Sequence, residues 1–478
     1  MVPKQRICEI SPFFEKACNS RFKEGLSGEI RLPEMSPSAF DNFLGWLYNN
    51  ILYPTTQEFR AAVFSPGFEV LPVNIEGGSP FYDTSQKGPV LPLDDQAPPM
   101  PIGGKVPRFS VDYKQNYVEW MGFSFYISQS EDMGMGLHDI RFKGERIIYE
   151  IRLQEALAHY AAINPTNANT AYLDSAFGFG SGAVELMPGY DCPTYATYLN
   201  TSLPNYESAN SLCLFEFEAD YPMQRSYYYS NTKNIFFSVR SVYNVGNYDY
   251  QMTYEFYMDG SIQIIVRAAG YIFPAYYGNN HDYGFRIRDT LSGSMHDHVL
   301  QFKVDFDILG TNNTMQLMTV EATTEQYAWA DHPRNTFKLN RHELETEDES
   351  QLFWSPNGAT QYIIYNKEET NQFGEYRGYR IMPSQNTVHL TTQNSSTLAN
   401  AANFAKYDIA VSQYKDGEQR SVHPLNDQDI YEPMVDFDAF FDGDSLQQQD
   451  LVTWVNLGLH HVPHTGAYTN SRRSPNSI

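Results

Sequence analysis

The sequence predicts a mainly β chain, a large antiparallel β-sandwich with a short helical segment at its N-terminal end. Three observations carry that prediction. From Val106 to about His464, short runs of alternating apolar and polar residues are separated by Gly, Asn, Asp and Pro, the pattern of half-buried strands joined by turns. Aromatic residues make up 15% of the 478 residues, with 35 tyrosines, a composition that suits pleated surfaces better than helices. Residues 296–308 keep strict alternation, with His296, His298, Leu300, Phe302, Val304, Phe306 and Ile308 on one face.

Residues 1–53 read as helical. Ser36 or Ser38 suits an N-cap, and Phe40, Phe43, Leu44 and Leu47 follow at i, i+3, i+4 and i+7, giving one apolar stripe. Through Ser11-Pro12-Phe13-Phe14, Phe22-Lys23-Glu24-Gly25, Ile30-Arg31-Leu32-Pro33 and Phe43-Leu44-Gly45-Trp46-Leu47-Tyr48, this segment resembles the middle of a BTB/POZ domain. Residues 54–105 contain GGSP, GPVLP and QAPPMPIGG and little periodicity, the composition of a linker or surface-wrapping segment. Residues 106–464 form the β region, with strands expected from Asn234 to Val242, Ser261 to Ala268 and Val299 to Ile308. One helix is expected there, from Leu153 to Tyr160, because Gln154-Glu155-Ala156-Leu157-Ala158 is rich in helix formers. Residues 465–478 read as a separate tail.

Acidic residues outnumber basic ones 57 to 33, for a formal charge of −24. Such a surface repels nucleic acid and anionic membranes and attracts cationic small molecules such as amines. No apolar run reaches transmembrane length, and the N-terminus has neither the charged start nor the apolar core of a signal peptide. Sequons at Asn200, Asn312 and Asn394 point the other way, so the compartment stays open. Cys192 and Cys213 are spaced to close a loop whose oxidation stabilises by about 3 kcal/mol. Composition alone equally allows four buried thiols, with Cys8 and Cys18 as the other two.

Two histidines at i and i+2 on an apolar strand face, His296 and His298, have the spacing of metal ligands, or of two hydrogen-bonded core residues. On the opposite face Val299, Gln301, Lys303, Asp305 and Asp307 make an expected wetter side. His460-His461-Val462-Pro463-His464 follows the apolar run Leu451-Val452-Thr453-Trp454-Val455 and supplies a third imidazole. An all-imidazole set suits copper or zinc, and the residues alone do not separate the two. Further upstream lies Asn247-Tyr248-Asp249-Tyr250, which read alone is turn chemistry.

Together, Asn247-Tyr248-Asp249-Tyr250, His296-Asp297-His298 and the late His461-Val462-Pro463 resemble the copper amine oxidase family. The resemblance implies that Tyr248 is the precursor of topaquinone and that His296, His298 and His461 ligate Cu(II). Ala171-Tyr172-Leu173-Asp174 resembles the family's catalytic-base motif, which implies Asp174 as base and Tyr172 as channel gate. Tyr160 matches the tyrosine that hydrogen-bonds a quinone oxygen, and Asn247 the residue that orients the quinone. Asp305, the Phe306 carbonyl, Asp307, Asp450 and the Leu451 carbonyl match a peripheral calcium-type site, where hard oxygen donors fit Ca(II). Cys192 and Cys213 match a disulfide of secreted members.

The implied activity is oxidation of a primary amine by oxygen to aldehyde, ammonia and hydrogen peroxide, in a supersandwich fold that is a homodimer. The family commonly has Thr three residues before the motif's Asn, where this chain has Asn244. After His464 it continues with an acidic pair and further strands, whereas this chain runs Thr465-Gly466-Ala467-Tyr468 and stops at Ile478. The alternatives are therefore a catalytically inactive truncated oxidase or a BTB-type interaction protein; a zinc hydrolase on the same histidines would leave Tyr248 without a role.

Overall fold

The computed structural model describes residues 96, 99–104, 106–161, 170–204, 206–270, 272–277, 281–288, 291–383, 390, 398–429 and 431–463. The expected helical segment 1–53, most of the expected linker and the tail 465–478 lie outside them, as do Asn394 and His464.

The alternating runs form antiparallel sheets. The largest has nine strands, in the order Phe109–Asp112, Tyr117–Trp120, Phe123–Ser130, Gly134–Phe142, Glu145–Tyr160, His296–Phe306, Leu451–His461 and Ile409–Gln413; Thr170–Leu173 pairs with the end of Glu145–Tyr160. A five-stranded sheet, ordered Ile262–Gly270, Tyr248–Tyr257, Asn231–Val245, Tyr206–Arg225 and Thr197–Leu203, lies across it. Both contribute to one core, in which Phe125 stacks on Phe256 at 4.5 Å between ring centroids and Tyr254 meets Phe302 edge-on at 6.5 Å. The expected strands are present and slightly displaced at their ends, as Asn231–Val245, Ile262–Gly270 and His296–Phe306.

Two expectations are corrected. Leu153 to Tyr160 is not a helix but the second half of the strand Glu145–Tyr160. Leu157 to Tyr160 pairs on one side with Val299 to His296 and on the other with Leu173 to Thr170. Helix propensity is worth at most about 0.7 kcal/mol per ordinary residue, which cannot compete with two hydrogen-bonded neighbours and burial. The strand also carries a bulge: Glu155 faces Gln301 and Leu153 faces Phe302, leaving Gln154 as the extra residue.

Nor is the second face of His296–Phe306 wet. Asp305 and Asp307 are only 2% and 4% exposed. Residues of the 398–441 region cover this side, where Phe404, Phe437 and Phe440 pack with Leu157, Val299 and Trp454. Lys303 is buried there as well, its Nζ 3.1 Å from Glu150 Oε2 and over the Tyr414 ring.

Candidate active site

Three adjacent strands assemble the histidines by register. His296 is paired with Tyr160 on one side and His461 on the other, and His298 with Ala158 and Leu459. Directly opposed side chains on one sheet face stand about 4.5–5.5 Å apart. The pairing therefore gathers Tyr160, His296 and His461 into one row, while the small Ala158 leaves room beside His298. The His296 ring centroid lies 4.8 Å from that of His298 and 4.8 Å from that of His461, and Tyr160 stacks on His296 at 4.6 Å.

The fourth member comes from the opposite sheet. Val245 pairs with Tyr248, so Gly246-Asn247 is a two-residue hairpin loop with Gly246 at φ 59°, the first-position glycine of a II′ turn. Asn244 Nδ2 donates to Asp249 Oδ1 at 2.7 Å across the base of this hairpin. Tyr248 thereby points at the imidazoles: its hydroxyl lies 2.6 Å from His296 Nε2 and 2.7 Å from His461 Nδ1, which are 3.3 Å from each other.

Counting hydrogens shows what this group can hold. His296 Nδ1 lies 2.8 Å from the Ser294 carbonyl and must donate to it, which leaves Nε2 with its lone pair inward. The hydroxyl of Tyr250 donates to Asp174 and so accepts from His298 Nδ1 at 3.2 Å; His298 Nε2 is then a lone-pair nitrogen, and it is buried without a hydrogen-bond partner. Burial pushes both histidines down, His298 to about 3 and His296 well below the usual imidazole value, with neighbouring imidazoles adding to the effect. The rings are neutral and short of protons. A soft-to-borderline cation such as copper fits this donor set.

Close to these rings, Asp174 opens a short 3-10 turn, Asp174–Phe177, immediately after the strand Thr170–Leu173. Its carboxyl is buried, and burial followed by the charge of Glu155 raises its pKa well above the ordinary carboxylate value. Tyr160 is buried close to Asp174 and accepts a hydrogen bond from Asn247, and its pKa is raised, chiefly by burial. Tyr172 is half-buried, its ring meeting Tyr160 at 6.0 Å and the exposed Phe177 at 6.1 Å. Thus Tyr160, Tyr172, Asp174, Asn247, Tyr248, His296, His298 and His461 all come to one end of the sandwich. Two residues at this end were missed in the sequence: Tyr250, two positions beyond Tyr248 on the same strand face, and Glu155, concealed by the helical reading of its segment.

Elsewhere, carboxylate oxygens of Asp305, Asp307 and Asp450 lie within 4.8 Å of one another. Burial raises Asp305 to about 8 and Asp450 to about 6, and Asp450 Oδ1 is buried without a partner. Arg146 Nη1 lies 3.1 Å from Asp307 on one flank. The strand pairing sets Phe306 directly against Leu451, so both carbonyl-bearing residues of the expected set adjoin the carboxylates. Cys192 and Cys213 form a disulfide joining the 185–196 loop to the strand Tyr206–Arg225.

Comparison with known proteins identifies the family of this chain. Residues 110–468 match the family described as copper amine oxidase, enzyme domain. The chain is 43% identical over 438 residues to the copper amine oxidase vicK1 of Bipolaris victoriae, covering 90% of this chain and 61% of that protein. With the copper-containing amine oxidase 3 of Homo sapiens it shares 32% over 422 residues, 86% of this chain and 54% of that one. The crystal structure of Aspergillus nidulans amine oxidase superposes with a TM-score of 0.80 at 54% identity, over 88% of this chain and 58% of that chain. That of Pichia pastoris lysyl oxidase gives 0.79 at 38%, with the same coverage. This chain thus spans little more than half the length of these relatives. The BTB/POZ resemblance is corrected: residues 40–89 match a different domain family, one of unknown function, which cuts across the segment that suggested it. With a matched region that contains every member of the imidazole–tyrosine–carboxylate group, the chain belongs to the copper amine oxidase family.

Proposed function

We propose that this protein oxidises primary amines to aldehydes, releasing ammonia and hydrogen peroxide, with copper held by His296, His298 and His461 and a topaquinone derived from Tyr248. One observation carries the proposal: the Tyr248 hydroxyl sits between His296 Nε2 and His461 Nδ1, at 2.6 and 2.7 Å, where a metal bound by those nitrogens would meet the phenol. The ion would activate the phenol for oxidation, and the resulting quinone supplies the electron sink that makes an amine's α-hydrogen acidic.

The chain's own residues do the rest. Asp174 Oδ takes the α-proton of the bound amine; burial and the Glu155 charge keep the carboxylate basic enough to do so near neutral pH. Tyr250 donates to Asp174 and fixes the direction of its lone pairs. Tyr160 and Asn247, bonded to each other beside Tyr248, hold the ring's orientation. Tyr172, half-buried against Phe177, gates the approach of the substrate. The acidic surface, with a formal charge of −24, attracts ammonium substrates. Assembly as a homodimer and a Ca(II) ion at Asp305, Asp307, Asp450 and the Phe306 and Leu451 carbonyls belong to the same proposal.

The test is a visible absorption spectrum of copper-loaded, oxygen-exposed protein, with phenylhydrazine added to trap a reactive carbonyl. A quinone band that shifts with the hydrazine and is absent from Tyr248→Phe is the expected result. Copper uptake without colour would identify a catalytically silent member of the family.

A further inference from the structure

Glu155 is a fully buried carboxylic acid whose part in the mechanism above is limited to its charge beside Asp174. It is 1% exposed and follows the bulge at Gln154, a backbone irregularity that re-aims the side chains beside it. One carboxylate oxygen, Oε1, accepts from the Ser175 N–H at 2.9 Å and from the Ala156 N–H at 2.9 Å. The other, Oε2, accepts a hydrogen bond from the Ser175 hydroxyl. Ser175 is the next residue after Asp174, inside the same 3-10 turn. Glu155 therefore grips the turn by its backbone and by its side chain at once.

We propose that Glu155 is a positioning residue for proton removal: by holding Ser175 at two points, it fixes where the Asp174 carboxylate lies. This rests on Asp174 being the base. A turn of four residues has few bonds of its own, and a displacement of about 1 Å at a reacting group costs on the order of 10²-fold in rate. The arrangement has a second effect, because two carboxylates in one buried space oppose each other's ionisation. Burial raises Glu155 to about 7, and its charge is second only to burial in raising Asp174. The charged and titratable groups facing the pair are Arg420, from the loop after Ile409–Gln413, Tyr160, from the end of the Glu145–Tyr160 strand, and Tyr248 and Tyr250, from the opposite sheet. Arg420 is bonded through Nη1 to Asp132, while its buried Nε and Nη2 have no hydrogen-bond partner.

The experiment compares Glu155→Gln, Glu155→Ala and Ser175→Ala in the copper-loaded full chain, by steady-state kinetics across pH and by phenylhydrazine titration. Gln keeps an acceptor for the Ser175 N–H and removes the charge. Its kcat should stay within a few-fold of the parent while the acid limb of the kcat/KM profile moves to lower pH by at least half a unit. Ala removes the grip, and kcat should fall on the order of 10²-fold with little change in KM. Ser175→Ala cuts one of the two tethers and should fall between, which keeps the question decidable if Glu155→Ala does not fold. The proposal is overturned if both Ala variants match the parent, or if Gln is as damaged as Ala, which would make Glu155 a proton carrier. An absence of hydrazine-reactive chromophore in the parent chain would instead remove the proposed activity on which the inference rests.

Discussion

At the scale of single residues, the site is governed by where hydrogens are missing. Tyr250 donates to Asp174 and accepts from His298, so one phenol couples the carboxylate to an imidazole and commits the His298 Nε2 lone pair to the interior. This division of labour predicts a separation of functions. Asp174→Asn preserves volume and the contact with Tyr250 but cannot take a proton, so turnover should fall by about 10²–10⁴-fold. Copper content and the hydrazine-reactive chromophore should persist, which quantitative metal analysis and phenylhydrazine titration would check. Glu155 makes a separate prediction about stability. A carboxyl whose folded pKa is raised to about 7 contributes stability in full below its unfolded value, and that contribution is lost as pH rises through the folded one. Thermal unfolding of the parent should therefore weaken relative to Glu155→Gln between about pH 5 and 8.

At the scale of elements, the turn carrying Asp174 depends on close backbone contact. Two successive 3-10 turns, Asp174–Phe177 and Phe179–Gly182, join at Gly178, and a Cβ at Gly180 would lie 1.8 Å from the Ser130 carbonyl oxygen. Backbone cannot give way as a side chain can. Gly180→Ala should cost on the order of 1–3 kcal/mol and lower kcat, measured by denaturant unfolding and kinetics. Gly417→Ala, where a Cβ meets nothing within 4 Å, serves as the neutral comparison. These elements also mark how far the sequence was legible. His296–Phe306 was readable because its imidazoles and apolar residues alternate with polar ones. Leu153–Tyr160 was not, because a strand buried on both faces and interrupted by a bulge loses its alternation, leaving only helix-forming side chains as a signal. Glu155 was lost with it, since a Glu on a supposed helix reads as a solvated position. Tyr250 was within reach, being two residues from Tyr248 on a strand, but nothing in one sequence shows that Asp174 lies across from it.

At the scale of the whole molecule, the carboxylates Asp305, Asp307 and Asp450 tie the His296 strand to the start of the Leu451 strand, at the end remote from the imidazoles. Asp305 at about 8 and Asp450 at about 6 are both raised, so their contribution to stability is present below about pH 4 and lost as pH climbs through those values. A bound calcium ion favours the ionised carboxylates and offsets the loss, by about 2.7 kcal/mol at a hundredfold excess over Kd. Calorimetry should show calcium raising Tm and chelation lowering it, with a larger difference at pH 8 than at pH 5. The two faces of the His296 strand have a further consequence for maturation. A slip of one residue against its neighbours would turn Lys303 and Asp305 into the layer of Tyr254 and Phe256 and would scatter the three imidazoles. On the proposed function, a mispaired molecule would be unable to capture copper, and cofactor formation would act as a proofreading step. In a heterogeneous preparation, colour and metal content would sort correctly zipped molecules from slipped ones.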